Sequence, residues 1–328
     1  MLIGKRICSE KKASCCQDSY SLIHYNKYIL RIDIGNILLN IYPRILDAKS
    51  ILFLVGLINL SGCSFFIASA TDDLDHNLIS VILNHNDPKT VSEAIPAYLL
   101  MLETLVKQSP ESEELLATTS SLYSSYATLI PEDHERLQHL TSKALHFGLR
   151  SACAHRDDFC QINKIKFDSF EKIIQTTELK DISALYTVGS AWASWIQANS
   201  KDWDAVAQLP QVKAIMKRII ALDETYKNGS MHIYLGVLET YLPPAMGGDS
   251  DAGKFHFEQA IALSEQKNLL IKVIYASKYA RLLFDRKLHD TLLNEVVNAD
   301  PVQSELTLIN TVAQQQAKIL LKTADNYF

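Results

Sequence analysis

Glycine and proline are scarce: 11 and 9 in 328 residues. A sandwich or barrel needs a tight turn every few residues and spends these two types on them, so their shortage points to helices. No run of lysine and arginine occurs, and the formal charge is −5. A nucleic-acid binder needs a basic face to displace counterions, so that class is excluded. No apolar run approaches the roughly 20 residues that span a bilayer. No stretch alternates convincingly at period two, the mark of a half-buried strand. What remains is ordinary globular composition, 48% hydrophobic and 21% charged, enough for one large domain or two small ones.

The longest apolar run, residues 51–60 (ILFLVGLINL), follows Arg44 and Lys49 and ends in Leu60-Ser61-Gly62-Cys63. Ten residues suit the h-region of a signal peptide. The order of hydrophobic run, small residues and cysteine resembles the bacterial lipobox, with Cys63 as the acylated residue. Each buried acyl methylene contributes about 0.8 kcal/mol, so two or three chains on Cys63 would hold the protein on a membrane surface. An upstream stretch of some fifty residues is far longer than such a signal uses, and no Met lies between Met1 and Cys63. Translation is therefore expected to begin near Leu46, with the preceding stretch a mis-assigned start.

The expected organisation is a leader and signal peptide over 1–62, a lipidated tether and short helix over 63–89, and a helical domain over 90–328. The leader holds eight of the 32 basic and four of the 37 acidic residues, so the chain from Cys63 onward carries 24 and 33, a net of −9. It keeps seven glycines in 266 residues, well under half the usual frequency of about 7%. The mature protein is expected to be acidic, exported and rich in helix. Two cysteines stay beside Cys63. On one continuous helix Cys153 and Cys160 would stand about 10.5 Å apart, beyond the roughly 7 Å limit for a disulfide. A loop between them would bring them within reach, and an exported protein would then bond them.

Along the domain, Thr90-Val91-Ser92-Glu93 reads as a capping box. Ile95, Tyr98, Leu99, Leu102, Leu105 and Val106 follow at helical spacing until Ser109-Pro110. Similar runs carry Leu115, Leu122 and Tyr126, then Leu137, Leu140, Ala144 and Leu145. The last, from Ser304 to Phe328, is expected to bury Leu306, Ile309, Ala313, Leu320, Ala324 and Phe328. The fold class is all-α.

Self-similarity near 34 residues then gives the architecture. The tetratricopeptide hairpin puts large residues beside small ones where its two helices touch. Leu185, Val188-Gly189, Trp192 and Ala221 fit one unit. Leu235-Gly236, Phe257 and Ala260 fit another. Val273, Ser277, Ala280, His289, Leu293, Val296 and Pro301 fit a third, and Leu116, Ser120, Tyr123 and Ala144 a weaker fourth. Stacked hairpins would form a superhelical solenoid with a concave, ligand-accepting face.

Chemistry falls short at each near-motif. Residues 248–254 (GDSDAGK) have the spacing of a phosphate loop. However, Phe255 replaces the Mg²⁺-binding hydroxyl, two Asp would repel phosphate, and Pro243-Pro244 stands where a strand should. The same stretch fails as a calcium loop, with Gly253 at a ligand position and Ala260 in place of the bidentate Glu. A helix loop with Asp249 or Ser250 as N-cap fits better. His134 and His139, five apart, would lie about 140° around a helix and cannot share a metal. His146, His155 and Cys153 add no recognised spacing. No nucleophile elbow or Cys/His signature occurs. No cofactor, no metal and no enzyme activity are expected. Trp192, Trp195, Trp203, Tyr234, Tyr241, Tyr275 and Tyr279 suit either a packed core or the lining of a groove for an apolar or organic ligand.

The C-terminal third carries a more specific resemblance. Residues 234–236 (YLG), 242–249 (LPPAMGGD), 255–263 (FHFEQAIAL), 279–289 (YARLLFDRKLH), 298–301 (NADP) and 324–328 (ADNYF) together look like the T-component of TRAP transporters. The resemblance is clear over about residues 183–328 and weaker over 90–182. It implies a periplasmic, lipid-anchored accessory protein, usually a homotrimer, that docks a TRAP substrate-binding protein. That partner delivers small organic ligands, often carboxylate or apolar, to a separate permease. It also implies a hydrophobic passage through the fold, for which Trp192, Trp195, Tyr234, Tyr241, Tyr275 and Tyr279 are lining candidates. Gly247, Gly248, Asp249, Phe284, Asp285 and Arg286 are candidates for partner or subunit contacts. The alternative is a generic tetratricopeptide lipoprotein that scaffolds envelope assembly.

Overall fold

The computed structural model describes residues 80–130, 133–241 and 248–328, all within one compact unit, Leu74–Phe328. The leader, Cys63 and Gly247 lie outside the described residues. Among the described residues there is no strand, and the protein is all-α. Its helices are α1 (Pro88–Gln108), α2 (Glu113–Leu129), α3 (His134–His155), α4 (Phe167–Gln175), α5 (Ile182–Ala198), α6 (Trp203–Val206), α7 (Leu209–Leu222), α8 (Ser230–Glu239), α9 (Ser250–Leu263), α10 (Leu269–Ile274), α11 (Arg286–Asn298) and α12 (Thr307–Lys322). A π-helical stretch, Tyr275–Ala280, continues α10.

Short polar side chains start many of these helices by satisfying backbone N–H groups that have no intrahelical partner. Ser112, Asp133, Asp249, Asn268 and Asp285 cap α2, α3, α9, α10 and α11. The start of α1 differs from the capping box expected at Thr90. The cap is Asp87, whose carboxylate accepts from the Lys89 N–H at 3.0 Å and the Thr90 hydroxyl at 2.5 Å. Pro88 occupies the first helical position, where it gives up no hydrogen bond.

Packing follows chain order. Helix α2 lies on α3, α3 on α5, α5 on α7, α7 on α8, α8 on α9, and α11 on α12. Three apolar clusters succeed one another. The first joins α1–α3 through Ile95, Leu99, Leu116, Tyr123 and Phe147. The second joins α4, α5, α7 and α8 through Phe170, Leu185, Trp192, Ile215 and Leu235. The third joins α9 to α12 through Phe257, Tyr275, Leu293 and Ala313. Glycines sit where helices come closest. A Cβ on Gly189 of α5 would stand 2.8 Å from Ile215 Cγ2 of α7, and one on Gly236 of α8 would stand 2.9 Å from the Phe257 ring of α9. Ala221, expected at a small, packed position, is instead exposed near the end of α7, whose close contacts with Gly189 are made by Ile215 and Met216.

The last helix returns to the first. Leu308 of α12 joins the cluster of Val91, Ile95 and Leu99, and the Glu305 N–H donates to Asn84 Oδ1 at 2.8 Å. Helix α12 buries Leu308, Val312, Ala313 and Ala317. That stripe is rotated from the expected one; of the expected set, Ala313 and Ala324 are buried. The reason is polar. Buried Asn310 turns inward, accepting from the Leu269 N–H at 2.9 Å and donating to the Lys267 carbonyl at 2.9 Å. It thus binds the start of α10 to α12.

Candidate functional site

Because α12 folds back, a hollow of about 210 Å³ forms at the seam between the early and late helices. Ser124, Ala127 and Thr128 of α2, Leu137 and Thr141 of α3, and Ser194, Gln197 and Ala198 of α5 form one wall. Leu270 and Ile274 of α10, with Ile309, Val312 and Gln316 of α12, form the other. A larger cleft, about 940 Å³, opens beside the end of α3. Its lining includes Leu149, Arg150, Cys153, Cys160 and Lys164.

Cys153 and Cys160 meet at that cleft. Helix α3 ends at His155, Arg156 is extended, and a 3-10 turn at Asp157–Phe159 doubles the chain back. The Cα atoms stand 4.3 Å apart with the sulfurs at bonding distance. The loop alternative, rather than the continuous helix, is the one this chain adopts.

Beneath the loop is a charge network that the sequence reading missed. Asp181, fully buried, accepts from His155 Nε2 at 2.9 Å, Arg156 Nη1 at 3.0 Å and the Glu178 N–H at 2.8 Å. The other nitrogen of His155 lies 2.9 Å from Glu113. Both nitrogens face carboxylates, an arrangement that only the imidazolium satisfies. Burial alone would raise the Asp181 carboxyl, but the Glu178 N–H, His155 and Arg156 together hold it below the usual range. Burial alone would lower His155, but Asp181 and Glu113 outweigh it and raise it. The signal in sequence was the acidic pair Glu178 and Asp181, which cap one another's backbone.

His134 and His139 lie on α3 and His146 faces the large cleft, apart from the His155 network. Among the described residues no three or more His, Cys, Asp or Glu side chains converge as metal ligands. Two other histidines do meet, His232 of α8 and His256 of α9, with Nδ1 atoms 2.8 Å apart. Glu224 stands 3.2 Å from His232 Nε2. Burial lowers both rings, His256 to about 4, so near neutral pH both are uncharged and one donates to the other.

The aromatic candidates divide. Trp192 is wholly buried, edge-on to Phe170, with its indole N–H donating to Gln208 at 2.8 Å. Tyr275 and Tyr279 are buried, Tyr275 stacked on Phe257 at 5.0 Å. Trp195, Tyr234 and Tyr241 are half-buried, and Trp203 is exposed. None of these residues lines either hollow.

The helical order and its doubling back are accompanied by a family match. The model of the TRAP transporter T-component matches residues 84–328. The chain belongs to that family. No curated protein gives a match to it. T-components are accessory parts of transporters and not a family of enzymes.

In this T-component, the contact candidates lie on two turns. Gly248 is half-buried and Asp249 is exposed; the Asp249 N–H donates to the Glu239 carbonyl at 2.9 Å and its side chain caps α9. Phe284 is 70% exposed at φ 54°, a left-handed backbone that a bulky residue rarely takes. Its ring stacks on Tyr327 at 5.9 Å. Asp285 caps α11, and Arg286 pairs with Asp325 at 2.5 Å and Asp290 at 3.3 Å. No helix among the described residues is long and apolar enough to cross a membrane.

Proposed function

We propose that this chain is a periplasmic accessory component of a TRAP transporter, held to a bacterial membrane by acyl chains on Cys63. In this reading its helices are tetratricopeptide-like hairpins, it assembles as a homotrimer, and it docks the substrate-binding protein that feeds the permease. The family match over residues 84–328 is the observation that carries the reading. The chain-order packing of α2 to α9, with glycines at the closest helix contacts, supports the hairpin assignment. The Leu60-Ser61-Gly62-Cys63 motif ahead of the matched region supports the anchor. Anchor and dock together would raise the local concentration of the binding protein beside the permease without any chemistry.

The ligand passage falls to the seam hollow, which joins early and late helices, with Trp195, Tyr234 and Tyr241 as half-buried aromatics elsewhere on the unit. Gly247, Gly248 and Asp249, with Phe284, Asp285 and Arg286, are the contact residues in this reading. Affinity purification of the full chain from detergent-solubilised membranes tests it. Recovery of a solute-binding protein is the expected result. Recovery of envelope-assembly factors without one would overturn it in favour of a scaffold.

A further inference from the structure

We infer that the seam hollow binds a small uncharged organic molecule and rejects carboxylates. This rests on the reading of the hollow as the ligand-facing part of the accessory component, and it narrows the class of ligand. The wall carries hydroxyls and carboxamides but, among the described residues, no acidic, basic or histidine side chain. An ionised carboxylate moved from water into such a site would lose its hydration and find no cation to replace it. A neutral amide or alcohol loses far less and regains it in hydrogen bonds.

The polar groups are free to make those bonds. Thr141 donates to the Leu137 carbonyl at 2.8 Å and Ser194 to the Ser190 carbonyl at 3.0 Å. Their protons are engaged within their own helices, while their oxygen lone pairs remain as acceptors. Ser124 Oγ is buried with no hydrogen-bond partner among the described residues, an arrangement that a native protein seldom leaves unexplained. Gln197 and Gln316 bond to no described residue and offer both donor and acceptor. Across the hollow, Leu270, Ile274 and Val312 give an apolar surface. The site therefore offers both hydrogen-bonding groups for a polar head and apolar surface for a short hydrocarbon tail. Its volume, about 210 Å³, suits a small molecule with a short tail.

Matched probes test this. Butanamide, pentanamide and hexanamide are titrated into the purified full chain beside butanoate, pentanoate and hexanoate, by saturation-transfer NMR and calorimetry. The amides are expected to bind, and the carboxylates at least a hundredfold more weakly. Leu137→Trp fills the hollow and should abolish amide binding. Gln316→Lys, at a half-buried lining position, should admit the carboxylates, and it guards against a packing failure in the tryptophan variant. Carboxylates binding as well as amides would overturn the ligand class while leaving the hollow as a ligand site. Binding by neither series, or amide binding that survives Leu137→Trp, would overturn the hollow as a ligand site. Recovery of the binding protein in the membrane pull-down is a separate readout that neither result changes.

Discussion

Replacing Asp181 by Asn removes one charge and little volume from the network under the Cys153–Cys160 loop. The carboxylate accepts three hydrogen bonds, two from cationic side chains. An amide oxygen in place of Oδ2 keeps the bonds from Arg156 and Glu178 but without the charge, while its NH₂ in place of Oδ1 faces the His155 donor. Bonds to charged groups are each worth about 1.5–3 kcal/mol when buried, and a buried pair broken from one side costs about 3–5 kcal/mol. The loss should be about 3 kcal/mol, a fall in Tm of roughly 6–12 °C for a domain of this size. The pH dependence is the sharper test. The Asp181 carboxyl is held low in the fold, so its contribution is present above about pH 4 and is lost as pH falls through the folded value. His155 is held high, so its contribution is fully present below about pH 6.5 and is lost as pH rises through the folded value. The gap between Asp181→Asn and the parent should therefore be widest between about pH 4 and 6.5 and shrink on either side. Urea unfolding at closely spaced pH values measures it. A gap below about 1 kcal/mol, or one that is flat from pH 4 to 8, would refute the network as described.

Three further outcomes follow from local geometry. Gly189→Ala should cost about 1–3 kcal/mol through overpacking on Ile215, and Ile215→Val should recover much of it; additive losses in chemical denaturation would contradict the contact. Cys153→Ser should cost about 2.5 kcal/mol in oxidising buffer on the chain-entropy account of a short loop, and nothing in reductant; equal melting of parent and variant in both buffers would show that no bond forms. Phe284→Gly should leave Tm nearly unchanged, since relief of the left-handed backbone offsets the lost stack on Tyr327, yet weaken recovery of the binding partner; full recovery would remove Phe284 from the contact surface.

Which parts of this were legible in sequence depends on how far apart the contacting residues lie. Helical spacing, caps and small-large alternation are local, so α1, α2, α3 and α12 and the buried Leu185, Gly189 and Trp192 face could be read from neighbours in the chain. Even there, Asp87 displaced Thr90 as the cap, because its carboxylate accepts from the Lys89 N–H and the Thr90 hydroxyl and Pro88 suits the first helical position. The stripe on α12 was misjudged because Asn310, a polar residue, is buried to hold the backbone at Lys267 and Leu269, some forty residues away. No periodicity announces such a residue, since its partners are backbone groups, which every position possesses.

The candidate site shows the same limit with larger consequences. Aromatic residues suit a groove lining because they are large and amphipathic, yet size is also what fills a helical core, and Trp192, Tyr275 and Tyr279 fill it. The seam hollow is instead bounded by serine, threonine, glutamine and medium-sized aliphatics from five helices. Each is unremarkable on its own helix. They come together where Leu308 and Glu305 bring the last helix back to the first, a long-range closure set by a few contacts. Weakening that closure should therefore alter ligand capture before it alters helix content. Asn84→Ala, which removes the acceptor for the Glu305 N–H, should lower amide affinity in calorimetry while circular dichroism stays constant. Unchanged affinity would mean that the packing of Leu308 alone sets the seam.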